Sequence, residues 1–204
     1  MKSGYSEQIR QKIENSPAGK IFLNSDFSDI AGAETVRRNL NRLIQAGVLR
    51  RIRNGVYEKP KYSKLLHEYV AASPDEVAHE IARSFHWTIA PFGDAALNLL
   101  GLSTQVPAVW VYISDGPYRK YKCSDTVIEF RHRTNREISR LSYKTILLVQ
   151  ALKSLGKERA TQEVIRMLSD KLTAEEKTAA LNEAAESTDW IYNAIKKICE
   201  DNEK

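Results

Sequence analysis

The segment from Glu34 to Tyr57 has the clearest ordering of apolar and polar positions in the chain. In its first half, apolar residues recur three and four positions apart, which predicts an amphipathic helix that buries Val36, Leu40, Leu43 and Ile44. The opposite face is basic and rich in amide side chains. Gly47 predicts the end of this helix, a short strand should follow, and Asn54-Gly55 is the strongest two-residue signal for a hairpin turn.

A two-residue turn at Asn54-Gly55 also predicts the register of the hairpin. The expected facing pairs are Arg53 with Val56, Ile52 with Tyr57, and Arg51 with Glu58. Arg51 and Arg53 should then point away from the packed face, towards a phosphate backbone, with Glu58 neutralising Arg51 in the free protein.

Upstream of this segment, the sequence predicts a first helix over 5–15, a short strand over 20–23 and a second helix over 26–31 capped by Ser25. Three helices followed by a hairpin are typical of a winged helix-turn-helix. We therefore predict a winged helix DNA-binding domain over residues 1–62 and a second domain over residues 63–204.

The second domain is predicted to start as an α+β region and to end as a bundle of helices. Its strands should include 108–114, 118–122 and 126–131, which would form a small sheet. Ser142 and Gly156 should bound a buried helix, and further helices are predicted at 161–171, 174–186 and 188–200, with Thr173 and Glu176 as a capping box. The predicted fold class is therefore α+β: an N-terminal winged helix-turn-helix, a middle α+β domain with a small sheet, and a C-terminal helical bundle.

Charge is distributed unevenly along the chain, whose net charge is +5. Residues 1–64 contain 13 Lys and Arg against 6 Asp and Glu, whereas residues 160–204 contain 6 against 10. Clustered cations favour nucleic-acid binding at the N-terminal end. Cys123 and Cys199 belong to no paired-cysteine motif, and no membrane span or signal peptide is predicted, so we expect a cytoplasmic protein.

Catalytic chemistry is not expected. The sequence has no phosphate-cradling glycine loop, and its four histidines lack metal-ligand spacing, so neither a cofactor nor a metal is predicted. Phe92-Gly93-Asp94 is compatible with a nucleotidyltransferase, but that enzyme needs a second acidic pair on the following strand. Val109, Val111 and Ile113 occupy those positions.

The candidate DNA-binding residues fall into two groups. Those near the helix start or on one stripe with it are candidates for base edges, because Asn pairs well with adenine and Arg with guanine: Thr35, Arg38 and Asn41. The others are expected at phosphates or in the wing turn: Arg37, Arg42, Arg51, Arg53 and Asn54. The alternative for the helix arginines is a solvated face with intrahelical ion pairs.

Two segments resemble a known family. Residues 19–61, GKIFLNSDFSDIAGAETVRRNLNRLIQAGVLRRIRNGVYEKPK, resemble the N-terminal domain of AbiEi-type antitoxins, which pairs an Asp-Phe helix start with an Arg-rich helix and a Gly-X-Tyr wing closed by Lys-Pro. Residues 91–121, PFGDAALNLLGLSTQVPAVWVYISDGPYRKY, resemble the second domain of a less characterised AbiEi-related branch through a Gly-Leu-x-x-Gln-x-Pro turn before a hydrophobic strand.

The resemblance implies an autoregulating transcriptional regulator of a type IV toxin–antitoxin, phage-defence system. Its partners would be double-stranded DNA carrying an inverted repeat and a nucleotidyltransferase-like toxin, with a homodimer on DNA as one arrangement. Two other functions stay open: a one-component transcription factor that senses an effector or dimerises without a toxin, and an enzyme fused to a DNA-binding module.

Overall fold

A computed structural model describes residues 4–134, 138 and 140–201, and within them the protein is a mixed α+β fold with eight α-helices and three small sheets. The helices are α1 (Tyr5–Glu14), α2 (Ala33–Gln45), α3 (Pro74–Ser84), α4 (Asp94–Leu99), α5 (Tyr143–Leu155), α6 (Gln162–Ser169), α7 (Ala174–Glu183) and α8 (Asp189–Glu200). The strands are β1 (Ile21–Leu23), β2 (Arg50–Arg53), β3 (Val56–Glu58), β4 (Lys61–Ser63), β5 (Glu68–Val70), β6 (Ile89–Phe92), β7 (Val109–Ser114), β8 (Arg119–Cys123) and β9 (Thr126–His132). The predicted α+β class is confirmed.

The chain divides into two compact units. The N-terminal unit extends to His86 and includes the short segment Lys122–Asp125, and the C-terminal unit contains Trp87–Tyr121 and the chain from Thr126 onwards. The sequence places a domain boundary after residue 62, whereas the contacts of the N-terminal unit continue through β4, β5 and α3.

In the N-terminal unit, an antiparallel sheet with the strand order β1-β3-β2 shares one core with α1 and α2. This core consists mainly of Ile9, Ile13, Phe22, Phe27, Val36, Leu40, Leu49 and Tyr57. The predicted helix over 26–31 is wrong, because the segment Asn24–Phe27 forms a 3₁₀ turn instead. Lys12 donates to the carbonyl oxygen of Asp26 (2.5 Å), the oxygen that an α-helix would need for the N–H of Ile30.

The register of the β2–β3 hairpin differs from the prediction by one bulged residue. Arg53 faces Val56 as expected, but Arg51 faces Tyr57 and Arg50 faces Glu58, so the predicted Ile52–Tyr57 and Arg51–Glu58 pairs are wrong. The bulge leaves the carbonyl oxygen of Ile52 outside the ladder, where it accepts the Ser124 N–H of the same unit (3.1 Å). Glu58 therefore pairs with Arg50 (2.6 Å) rather than with Arg51.

The rest of this unit is the β4–β5 hairpin followed by α3. Ser73 caps α3 in a capping box with Glu76, and α3 buries Val77 and Ile81. Two ion pairs tie α3 to residues at either end of β1: Lys20 with Glu80 at 2.8 Å and Arg83 with Asp26 at 2.7 Å.

The C-terminal unit combines a sheet of strand order β6-β7-β9-β8 with a cluster of helices. β7 is parallel to β9 and antiparallel to β6. The sequence correctly places the buried helix α5, since Ser142 accepts the N–H of Thr145 at its start and Gly156 follows its end at a φ of +81°. The Thr173–Glu176 capping box is confirmed as well. The core of the helices includes Leu148, Leu152, Leu168 and Ile195.

Candidate nucleic-acid interface

Helix α2 buries one face and exposes a polar one, as its apolar spacing predicts. Val36, Leu40 and Leu43 are buried in the core of the N-terminal unit. The candidate residues Thr35, Arg37, Arg38 and Arg42 are exposed, and Asn41 is half-buried. The helix thus keeps its cations in solvent while its apolar side chains hold it in place.

An open groove of about 410 Å³ separates α2 from the β2–β3 hairpin. The residues that line it come from both elements and from the position just after β1: Arg37, Asn41, Arg51, Asn54, Gly55, Tyr57 and Asn24. Across it, the Arg51 guanidinium donates a hydrogen bond to the side-chain oxygen of Asn41. Four of the eight residues predicted from the sequence therefore meet at one groove.

The other four predicted residues lie outside the lining of this groove. Thr35, Arg38 and Arg42 share the exposed face of α2, at spacings of three and four residues. Arg38 pairs with Glu34 one turn earlier (3.1 Å), and both side chains are exposed, so the pair contributes only about 0.3–0.5 kcal/mol and is easily exchanged. Burial raises the pKa of the Cys123 thiol, and the nearby positive charge of Arg53 acts in the opposite direction.

Intrahelical ion pairing, the alternative to DNA contact for the α2 arginines, is found for Arg38. Arg37 and Arg42, by contrast, make no hydrogen bond or ion pair with any residue in the described part of the chain. Because Glu58 faces Arg50 in the observed register, the Arg51 side chain is held by the amide oxygen of Asn41 and not by a carboxylate. The positive charge beside the groove therefore stays available to an external anion.

Three residues of the groove were absent from the predicted site: Asn24, Gly55 and Tyr57. Asn24 follows β1, and its amide nitrogen lies about 3.5 Å from the position that a Cβ of Gly55 would take. The side-chain oxygen of Asn24 is buried and has no hydrogen-bond partner among the described residues. No local pattern could have placed it here, because β1 reaches the hairpin only through its pairing with β3.

Other kinds of site find less support. Within residues 4–134, 138 and 140–201, no group of three or more His, Cys, Asp or Glu side chains could hold a metal ion. The same part of the chain contains no helix that is both long and apolar enough to cross a membrane.

Comparisons with known proteins identify one matching protein family. A family model described as "Family of unknown function (DUF6088)" matches residues 8–180. The crystal structure of the RV2827C protein from Mycobacterium tuberculosis is similar with a TM-score of 0.46 and 10% sequence identity, over 96% of this chain and 76% of that chain. A comparison with curated proteins gives no match.

Proposed function

The chain belongs to the DUF6088 family, whose function is unknown, and we propose that this member is a sequence-specific, DNA-binding transcriptional regulator. The observation that supports this proposal is the groove between α2 and the β2–β3 hairpin, where Arg37 and Arg51 stand on opposite sides without a carboxylate partner among the groove residues. Two cations facing one open groove suit a polyanion, because phosphate contacts supply most of the affinity for DNA.

In this proposal the N-terminal unit acts as a winged helix. What supports this is the element order α1, β1, 3₁₀ turn, α2, β2, β3 and the strand order β1-β3-β2, which resemble a winged helix except that a 3₁₀ turn stands in place of its second helix. α2 enters the major groove and the turn at Asn54-Gly55 contacts the backbone beside it.

The side chains divide by position on α2. Thr35 and Arg38 lie on its exposed face and read base edges. On binding, Arg38 breaks its ion pair with Glu34 and pairs with a guanine instead. Asn41 reads a base or holds Arg51 in place through their hydrogen bond. Arg37, Arg42, Arg51 and Arg53 contact phosphates and set the register of the protein on the duplex.

The resemblance to AbiEi-type antitoxins extends the proposal to a biological role. The regulator binds an inverted repeat in its own promoter in the cytoplasm, as a homodimer or cooperatively, and its C-terminal unit neutralises a nucleotidyltransferase-like toxin. The chain itself needs no cofactor and catalyses no reaction in this proposal.

One observation favours a second function, that of an effector-sensing transcription factor. The C-terminal unit contains an open cavity of about 870 Å³ with a mixed polar and apolar lining, whose polar side chains include Arg140, Gln150, Lys153, Asn182, Glu183 and Glu186. Arg140 already pairs with Glu186 (3.1 Å), which leaves Lys153 as the unpaired cation among the described residues of the lining. This function would be established by a ligand that alters DNA affinity in the wild type and has no such effect on the Lys153→Ala variant.

Selection from a random duplex pool tests the main proposal. The wild-type chain should enrich one motif, and an Arg37→Ala/Arg51→Ala variant should enrich the same motif more weakly, because it loses two phosphate contacts and keeps the base-reading residues. Arg166→Ala is the matched control, because Arg166 is a 74% exposed arginine of the C-terminal unit and should leave the motif unchanged. The proposal fails if the wild type enriches nothing, or if the double variant enriches the motif as strongly as the wild type.

A further inference from the structure

The open cavity of about 870 Å³ in the C-terminal unit is lined in part by α5, and we call it the α5 cavity. Val149, Gln150 and Lys153 of this helix line it, and most of the remaining lining comes from residues 182–188, at the end of α7 and after it. Its volume lies within the range of roughly 300–1,000 Å³ that is usual for small-molecule sites. The chemistry of the lining therefore indicates which class of molecule it suits.

Gln150 is a buried amide without a partner. The residue is 7% exposed and makes no hydrogen bond with any residue in the described part of the chain. The other buried residues of α5 from Ile146 onwards are apolar, so packing alone does not explain a glutamine at this position. Buried amides are normally hydrogen-bonded, because burial removes them from water. Gln150 therefore offers both a donor and an acceptor to a molecule in the α5 cavity.

Lys153 supplies the free charge of the cavity. Arg140 is paired with Glu186 (3.1 Å). Glu183 accepts the N–H and the hydroxyl of Ser142, both at 2.8 Å, at the N-terminal end of α5, where the helix dipole favours an anion. Lys153 makes no ion pair or hydrogen bond with any residue that the structure describes. One cation of the lining is thus left for an anionic ligand.

The charge balance favours a ligand with a single negative charge. A carboxylate carries one charge, which Lys153 matches. A phosphate monoester carries about 1.5–2 negative charges at neutral pH, and its excess charge would lie in the same cavity as Glu183 and Glu186. Because like charges close together repel, the lining discriminates against phosphates.

The spacing of Gln150 and Lys153 sets the distance between the polar groups of the ligand. The two residues are three positions apart on α5, so their Cβ atoms lie about 5–6 Å from each other on one side of the helix. A group that both donates and accepts hydrogen bonds, such as a hydroxyl or an amide, suits Gln150. In the ligand it should be carried next to the carboxylate that pairs with Lys153.

The apolar part of the lining suits the body of a small molecule. Val149 is buried and Leu141 is half-buried. Protein partners, by contrast, are usually held by large apolar or aromatic side chains that are exposed in the free protein. The large apolar side chains that are exposed in the described part of the chain all lie outside this lining.

We infer that the α5 cavity binds a small monocarboxylic acid that has an apolar body and carries a hydroxyl or an amide next to its carboxylate. Lys153 pairs with the carboxylate, Gln150 exchanges hydrogen bonds with the hydroxyl or amide, and Leu141 and Val149 contact the apolar body. This names the chemical class of the effector in the second function proposed above, and its regulatory role rests on that function.

Ligand-observed NMR and titration of the full chain without DNA test the site with probes that share an isobutyl body. N-acetyl-leucine and α-hydroxyisocaproate have both polar groups, isocaproate lacks the hydroxyl or amide, N-acetyl-leucinamide lacks the charge, and isobutyl phosphate carries a phosphate instead. The first two should bind the wild type most tightly. A wild type that binds neither, or that binds the neutral amide or the phosphate as tightly, overturns the inference.

Two variants separate the contributions of the charge and the amide. Lys153→Met, at an exposed position, should weaken the binding of N-acetyl-leucine about ten-fold or more, because a charge-assisted hydrogen bond is lost. Gln150→Leu should remove the preference for N-acetyl-leucine over isocaproate. Lys196→Met is the matched control, because Lys196 is a 53% exposed lysine of α8 outside the lining, and it should bind like the wild type.

Equal binding by Lys153→Met and the wild type would overturn the inference, as would a Gln150→Leu variant that keeps the preference for N-acetyl-leucine. Thermal unfolding shows whether each variant is folded. Should the buried Gln150→Leu change prevent folding, the exposed Lys153→Met change together with the probe series decides.

DNA binding separates this inference from the proposed functions. If the acids bind as expected and leave the affinity for a duplex unchanged, the effector-sensing function fails and the carboxylate site stands. If the wild type binds a duplex but neither acid, the site is overturned and the main proposal stands. If the wild type binds no duplex, the main proposal fails and the NMR titration alone decides on the site.

Discussion

Two arginines on α2 in the N-terminal unit face solvent, whereas charged side chains on the sheet of the C-terminal unit satisfy one another. Arg37 and Arg42 project from α2 without an ion pair to any described residue. On β9, by contrast, Glu129 is 5% exposed and accepts hydrogen bonds from Arg131 (2.6 Å) and Tyr118 (2.9 Å). A basic composition alone therefore does not locate a binding surface. What matters is which cations the fold leaves without a carboxylate.

The largest effect should come from the core of the C-terminal unit. Leu152 on α5 is fully buried, so Leu152→Ala should lower the free energy of unfolding by about 2–5 kcal/mol through lost apolar contacts and a cavity. Arg37→Ala, at an exposed position, should change it by less than about 0.5 kcal/mol. Urea unfolding of the full chain measures both. If both variants lost the same free energy of unfolding, Arg37 would have a structural role and would not be a cation that the fold leaves free.

Next in size is the effect on sequence preference. Arg38→Ala should weaken binding to the selected motif by about 1–3 kcal/mol, with the loss confined to one base position, because a guanine contact is removed. Binding measured against a panel of single-base variants checks this. A uniform loss across the panel would assign Arg38 to the backbone instead.

A smaller loss of DNA affinity, independent of sequence, is expected for a substitution in the β2–β3 hairpin. Arg53→Ala should weaken binding to every duplex alike and reduce the slope of log affinity against log salt by ~0.9, the value for one phosphate contact. Fluorescence anisotropy on the motif and on a scrambled duplex provides the comparison. An unchanged slope would place Arg53 away from the phosphates.

The smallest effect concerns the acid stability of the C-terminal unit. The hydrogen bond from Arg131, together with those from Tyr118 and Lys120, holds the pKa of the Glu129 carboxyl below its ordinary value of 4.5, although burial raises it. A carboxyl with a lower pKa in the folded state stabilises the protein above its unfolded pKa. This stabilisation is lost as the pH falls through the folded pKa.

Glu129→Gln removes the group that titrates. Thermal unfolding between pH 7 and pH 3 should therefore decline less steeply for this variant than for the wild type in the range below about pH 4.5. Parallel curves would show that Glu129 is not a source of the acid sensitivity.

Features with a local cause were predictable from the sequence. Helix α5 lies between Ser142 and Gly156, and α7 starts at the Thr173–Glu176 capping box, because a cap is formed by residues within one turn of the helix end. The polar face of α2 follows from the same kind of short-range spacing. This spacing alone was enough to identify Arg37 and Asn41 as residues of the groove.

The two errors in the N-terminal unit arose from contacts that are distant in sequence. Lys12 takes the carbonyl oxygen of Asp26, which leaves a 3₁₀ turn where a helix was predicted. Ser124 donates to the bulged carbonyl of Ile52, which moves Glu58 from Arg51 to Arg50. The same limit explains why Asn24 was missed at the groove, since only the β1–β3 pairing brings it there.

The central claim is that the groove between α2 and the β2–β3 hairpin contacts a phosphate backbone, and the salt dependence of binding tests it most directly. The affinity for one duplex should be measured from low to high salt for the wild type, Arg37→Ala/Arg51→Ala and the control Arg166→Ala. The slope of log affinity against log salt should fall by ~1.8 for the double variant, since two phosphate contacts are lost, and stay unchanged for the control. Equal slopes for the wild type and the double variant would contradict it.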